Sequence, residues 1–216
     1  MNFNDKQTIF INSACMVNDW LYFSACNSNW LFRMNIETKE IEALDFLVGD
    51  FLGMKFSGLY YYNGMIWMIP WNATHIYVVY INDLRYECIP LPKEISNNNV
   101  VNQFRKSIIH GKYLWLLPSR FPGIIRIDME EKNYKIFNGW PTNVRFDKIK
   151  KMNFKMMYLY EDNLYLFRDA CNMSIRLSIH SGKMFEWKEG DNVSFGVIWN
   201  NKLYTSPVNE FSPIKI

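Results

Sequence analysis

Short apolar stretches recur along this chain at a steady distance, and the same kind of turn interrupts each of them. The clearest copy is Gly111 to Phe137, GKYLWLLPSRFPGIIRIDMEEKNYKIF. It reads as a tight turn, an aromatic-apolar strand, a Pro-rich loop, the strand IIRID, a charged turn and a last strand. Aligning Tyr22, Trp67, Trp115, Tyr165 and Tyr204 as one column gives spacings of 45, 48, 50 and 39 residues. A period of that size predicts repeated units of four short strands. A turn precedes every member of the column: Asn18-Asp19, Asn63-Gly64, Gly111-Lys112, Asp162-Asn163 and Asn200-Asn201. Asn, Asp and Gly tolerate the positive φ that a two-residue hairpin turn demands.

Three further columns place the remaining strands. Ile11, Phe56, Phe104, Phe154 and Val193 open an apolar strand ahead of each turn. A third strand follows the aromatic column and its loop: LFRMN, YVVYI, IIRID, IRLSI and PIKI. Phe32/Met34, Tyr77/Val79, Ile125/Ile127, Ile175/Leu177 and Ile214/Ile216 line one face of it at period two. The other face carries Arg33, Val78, Arg126, Arg176 and Lys215, basic in four of five copies, and the four cations are expected to bond or stack between adjacent units. EIEAL, YECIPL, YKIF and MFEW supply a fourth strand. Each unit is therefore an antiparallel meander, over about 8-46, 54-91, 102-138, 152-188 and 192-216, within one domain spanning 1-216.

A lone meander cannot bury both its faces, so consecutive copies must stack. Units of this length usually meet that need by closing radially. In these columns the chain resembles β-propeller repeat proteins, kelch-like in broad pattern, over nearly its whole length. The double Gly of kelch repeats, the Trp-Asp ending of WD repeats and the Ser-x-Asp-x-Gly box of sialidases are all missing. The resemblance implies an all-β propeller of five four-stranded blades, and it carries no function with it. The fifth unit stops inside its third strand, and Phe3 to Gln7 are expected to supply the missing outer strand. Closure would give a monomer. Otherwise the chain is a fragment of a larger propeller, or another molecule pairs with the open edge.

Composition changes this picture only at the margins. Aromatics make up 17% of the chain, which suits half-buried pleated surfaces. A net charge of +3, with both signs scattered, offers no stripe for nucleic acid. The start has neither a basic stretch nor a long apolar run, and no segment approaches the ~20 apolar residues of a membrane span. The reading is a cytoplasmic, bacterial protein without a membrane partner. Cys15, Cys26, Cys88 and Cys171 show no CxxC spacing and read as reduced thiols.

Strand direction puts the second-to-third strand loops and the inter-unit linkers at one end, opposite the hairpin turns. Long loops on a rigid frame are where binding usually lives. Trp71 and Phe121 could present aromatic platforms there, with Asn72 and Arg120 as polar neighbours; packing over the blade tops is the plainer reading. The residues just after the strand openers, Asn12, Ser57, Arg105, Lys155 and Ser194, are polar in every copy. On the innermost strands they would ring a central channel, where Arg105 and Lys155 favour a carboxylate or phosphate; ordinary solvated positions are the plainer reading. Asp169 and Glu210 are the best carboxylate pair for glycoside cleavage, against the plainer reading of two solvated loop acids. His75 falls at the loop end, whereas His110 and His180 fall in turns at the other, so the three cannot converge on zinc. No catalytic set, metal site or cofactor is assigned. The expected role is noncatalytic recognition of a protein, peptide or glycan; the alternative is a carbohydrate-active hydrolase or lyase.

Overall fold

The computed structural model describes residues 10–26, 30–44, 56–73, 75–96, 104–119, 121–142, 144, 154–168, 174–187, 193–200, 202–207 and 214–215. Among these residues nineteen strands form five antiparallel sheets, each in simple sequence order. The first sheet is β1 (Ile11–Val17), β2 (Trp20–Ala25), β3 (Leu31–Asn35) and β4 (Ile41–Leu44). The second is β5 (Phe56–Tyr62), β6 (Met65–Pro70), β7 (His75–Tyr80) and β8 (Tyr86–Pro90), followed by a single helical turn, α1 (Lys93–Ser96). The third is β9 (Phe104–His110), β10 (Tyr113–Pro118), β11 (Ile124–Asp128) and β12 (Asn133–Phe137). The fourth is β13 (Phe154–Tyr160), β14 (Asn163–Arg168), β15 (Ser174–Ser178) and β16 (Met184–Trp187). The fifth has three described strands, β17 (Val193–Trp199), β18 (Lys202–Pro207) and β19 (Ile214–Lys215). The segment expected to complete it, Phe3 to Gln7, lies outside the described residues.

Every strand opener begins a first strand, and every member of the aromatic column is the third residue of a second strand. The turns between them hold positive φ at Asn18, Asn63, Gly64, Gly111 and Asn200, as a two-residue hairpin requires. One turn is shifted from expectation. In the fourth sheet it is Glu161-Asp162, with φ of 44° and 57°, and Asn163 already belongs to β14.

The chain divides into two compact units, Met1–Phe104 and Arg105–Ile216. In the first, the Tyr22 face of the first sheet packs on the Ile66 face of the second. Val17, Tyr22, Leu31 and Leu44 meet Phe56, Leu59, Ile66, Met68, Tyr77 and Val79 in one buried cluster. In the second unit the same arrangement occurs twice. Trp115, Leu117, Ile124 and Phe137 of the third sheet cover Met157, Leu164, Leu166, Ile175 and Leu177 of the fourth. The opposite face of the fourth sheet, through Tyr165, Phe167 and Trp187, then covers Leu203 of the fifth. One rule describes all three joints: the aromatic face of a sheet lies on the aliphatic face of the next. Each fully buried aliphatic or aromatic side chain contributes about 1.5–3 kcal/mol. Gly196 shapes the last joint. A Cβ there would stand 3.1 Å from the Tyr204 carbonyl oxygen, and its absence admits Tyr158, whose hydroxyl accepts the Gly196 N–H at 3.0 Å.

Candidate functional site

Strand pairing places the aromatic column and the basic column directly opposite each other. Tyr22 faces Arg33, Trp67 faces Val78, Trp115 faces Arg126, Tyr165 faces Arg176 and Tyr204 faces Lys215. Residues opposite in an antiparallel pair share a face and touch. For Arg33, Arg126 and Arg176 the expected bonding between units is therefore corrected: the partners found for them lie within their own sheets. The side chain of Lys215 lies outside the described residues. Arg126 stacks over Tyr113 at 4.2 Å and reaches Trp115 and Phe137 at 5.6 Å each. Arg33 lies 4.4 Å over Trp20 and bonds the Glu42 carboxylate at 2.7 Å. Arg176 sits 5.5 Å over Phe185. These cations cap aromatic surface at the rim of each joint and are structural.

The polar column behind the strand openers also has a local cause. Register shifts fall between Ile11 and Ser13, Phe56 and Gly58, Phe154 and Met156, and Val193 and Phe195. Asn12, Ser57, Lys155 and Ser194 are thus the extra residues of β-bulges, released from the ladder and free to be polar. Asn12 uses its freedom to donate its side-chain amide to the Phe56 carbonyl, tying the first sheet to the second. The Ser57 hydroxyl donates to the Ile69 carbonyl at 3.4 Å. Arg105 is exposed at the matching position of β9, and the side chain of Lys155 lies outside the described residues.

At the loop end, Trp71 and Asn72 are half-buried, and the next residue, Ala73, is drawn into the core of the first unit. Phe121 is half-buried too, with its ring against Gly123, where a Cβ would lie 2.5 Å from it. The Phe121 loop is braced further. Trp140 donates its indole N–H to the Pro122 carbonyl at 2.8 Å and stacks on Phe154 at 5.5 Å. Ser119, 3% exposed at the base of this loop, has no hydrogen-bond partner for its hydroxyl among the described residues. Arg120, Asp169 and Glu210 lie outside the described residues. Trp71 and Asn72 come together in one loop of the first unit, and Phe121 belongs to the second.

At the turn end, Lys112 bonds Asp128 at 2.8 Å and Glu130 at 3.5 Å. The ammonium holds the Asp128 carboxyl below the usual carboxylate range, helped by the Glu130 and Glu131 amides. Asp128 and Asn35 both accept backbone amides two and three residues on, as turn-fixing residues do. Cys15, Cys26 and Cys88 are free thiols, and burial pushes the Cys15 thiol up to about 12. Among the described residues no three His, Cys, Asp or Glu side chains stand ready as a metal cage. None of the described helices is long and apolar enough to cross a membrane.

No protein-family model matches the chain, and no curated protein does. Solved structures do. The chain is similar to the extracellular domain of the hybrid two-component system BT4673 from B. thetaiotaomicron, with a TM-score of 0.67 at 10% identity over 94% of this chain and 28% of that one. It is similar to streptogramin B lyase, with a TM-score of 0.60 at 15% identity over 96% and 68%. A chain of a nidogen/laminin complex gives 0.57 at 12% identity over 91% and 72%. The chain spans 26% and 28% of the two BT4673 chains it matches. At these identities the likeness establishes the fold: an all-β propeller architecture of antiparallel four-stranded blades.

Proposed function

We propose that this chain is a noncatalytic recognition module that binds a protein, peptide or glycan through its long-loop end. One observation carries the reading, the asymmetry between the two ends of the blades. At the turn end, two-residue turns join first strands to second, and residues 36–40, 81–85, 129–132 and 179–183 join third to fourth. At the other end, residues 26–30, 71–74, 119–123, 169–173 and 208–213 join second strands to third, and the linkers 45–55, 91–103, 138–153 and 188–192, most of them longer, lead from sheet to sheet. The frame repeats its aromatic, aliphatic and capping columns, and these connections differ from copy to copy in residue and length. Repetition in the frame with variety at one end is how a scaffold presents a binding surface. Trp71 and Asn72 are the contact residues of the first unit and Arg120, Phe121, Asp169 and Glu210 those of the second, where Arg105 and Lys155 recruit acidic groups. The B. thetaiotaomicron neighbours are extracellular domains of one- and two-component systems, which fits a recognition role.

In the same reading the chain is one kelch-like bacterial propeller, closed as a monomer by its first residues. Free thiols support a reducing, cytoplasmic setting. Arrays of glycans and peptides probed with the full chain test the proposal. A captured ligand should bind about tenfold more weakly to Trp71→Ala or Arg120→Ala, the loss of one interface anchor. Turnover of a glycoside that disappears in Asp169→Asn or Glu210→Gln would instead make the protein a carbohydrate-active enzyme. Removing residues 1–8 should lower the melting temperature sharply; an unchanged melt would rule out closure by that segment.

A further inference from the structure

We propose that the loop end of the joint between the first and second sheets binds a neutral sugar, with Ser13, Ser24, Trp71 and Asn72 as its recognition groups. This rests on the recognition role proposed above and narrows it, for the first unit, to an uncharged carbohydrate. Ser24 carries the inference. It is 3% exposed, and among the described residues its hydroxyl has no hydrogen-bond partner. A buried hydroxyl left unbonded is destabilising, and native structures keep few of them.

Strand pairing fixes the direction of that hydroxyl. Ser24 stands opposite Ser13 on one side and Leu31 on the other, and opposite residues share a face. Leu31 belongs to the cluster in which the first sheet packs on the second, so both serines face that joint. Ser24 is the penultimate residue of β2, which puts the row at the loop end. From the second sheet, Phe56 and Pro70 pair at the same end, and the Asn12 amide crosses to the Phe56 carbonyl. The chain runs on from Pro70 through Trp71 and Asn72 to Ala73, which is buried in the same cluster as Leu31 and Phe56. The loop is thereby tethered beside the serines. Ser24 is the closed end of the site, and Ser13, Trp71 and Asn72, each half-buried, form its open side.

A serine hydroxyl and an asparagine amide both donate and accept, which matches the hydroxyls of a sugar. The row Ser13, Ser24, Leu31 and Leu44 holds no ionisable side chain, so a carboxylate or phosphate meets no opposite charge in it. Trp71 supplies a flat apolar surface for the C–H face of a pyranose ring. Apolar walls with a few placed polar groups are the make-up of a small-molecule site.

The full chain would be titrated calorimetrically with glucose, galactose, mannose, N-acetylglucosamine and their neutral disaccharides, beside sialic acid, glucuronic acid and a glutamate-rich peptide. Saturable binding of a neutral sugar is expected. Ser24→Ala should weaken it by up to about tenfold, the loss of one hydrogen bond, and Trp71→Ala by about tenfold or more. Without sugar, Ser24→Ala should melt at or above the parent temperature, because it removes an unbonded polar atom from the core. A lowered melt would show the hydroxyl to be bonded within the protein and overturn the assignment, as would a sugar held equally well by both variants. Binding of the acidic probes alone would overturn the sugar site and leave the recognition role standing. Silence across every probe would count against both.

Discussion

The second and third sheets treat the same row of positions in opposite ways. In the third, Trp115 is covered by Arg126, which is half-buried and whose guanidinium carbon lies 4.2 Å over the Tyr113 ring and 5.6 Å over that of Trp115. In the second, Trp67 is covered by Val78, and both are 0% exposed. Glu87, opposite Val78, accepts the Tyr80 hydroxyl at 2.9 Å in place of a cation. The position calls for something to shield an aromatic ring, and its solvent access decides the chemistry. A cation serves where its head can stay wet, by covering apolar surface with its stem and plane. Where the row is sealed, only a hydrocarbon can do so without burying charge.

The largest effects should come from the rings themselves. Trp67→Ala and Trp115→Ala should each cost about 3–5 kcal/mol in denaturant unfolding, the range for deleting a buried aromatic. Among the described residues neither indole N–H has a partner, so Trp115→Phe should recover most of that loss. A Phe variant as damaged as the Ala one would mean that the N–H is bonded after all. Exchanging the caps comes next. Val78→Arg should cost several kcal/mol, because a charge enters a sealed row. Arg126→Val should cost only about 1 kcal/mol, the stacking contribution. Equal costs would break the comparison, and so would a tolerated Val78→Arg that fails once Glu87→Gln is added, since Arg and Glu would then have paired.

These rows also separate what the sequence could reveal from what it could not. Strand openers and the aromatic column are legible because period-two patterning and positive-φ turns act over a few residues. Third strands are less sharp: β7 begins at His75 and β15 at Ser174, ahead of the expected Tyr77 and Ile175, since their edges depend on pairing. The basic column was visible, but its partners were not, because register decides which side chains stand opposite. Bulges at Asn12, Ser57, Lys155 and Ser194 left only a polar column as their trace. The approach of His110 in the third sheet to Asp162 in the fourth, at 3.8 Å, leaves no sequence signal, because two sheets must dock first. The loop acids and Arg120 stay proposals, argued from the ends to which their strands lead.

The smallest effect concerns the first sheet, where the cap has a charged partner as well as a ring. Arg33 directs Nε and a terminal guanidinium nitrogen to one Glu42 oxygen, each at 2.7 Å, while lying 4.4 Å over Trp20. Its side chain is 23% exposed and that of Glu42 47%, so water screens the pair. A double-mutant cycle on Arg33→Ala and Glu42→Ala should give a coupling of about 0.2–1 kcal/mol, shrinking in high salt. The parallel cycle on Arg33→Ala and Trp20→Ala should give about 0.5–1 kcal/mol. Salt should move the second coupling less, because the guanidinium plane against the ring also contributes packing. If salt erased both couplings equally, charge alone would hold Arg33 in place. The shielding role inferred from Val78 would then fail for the first sheet.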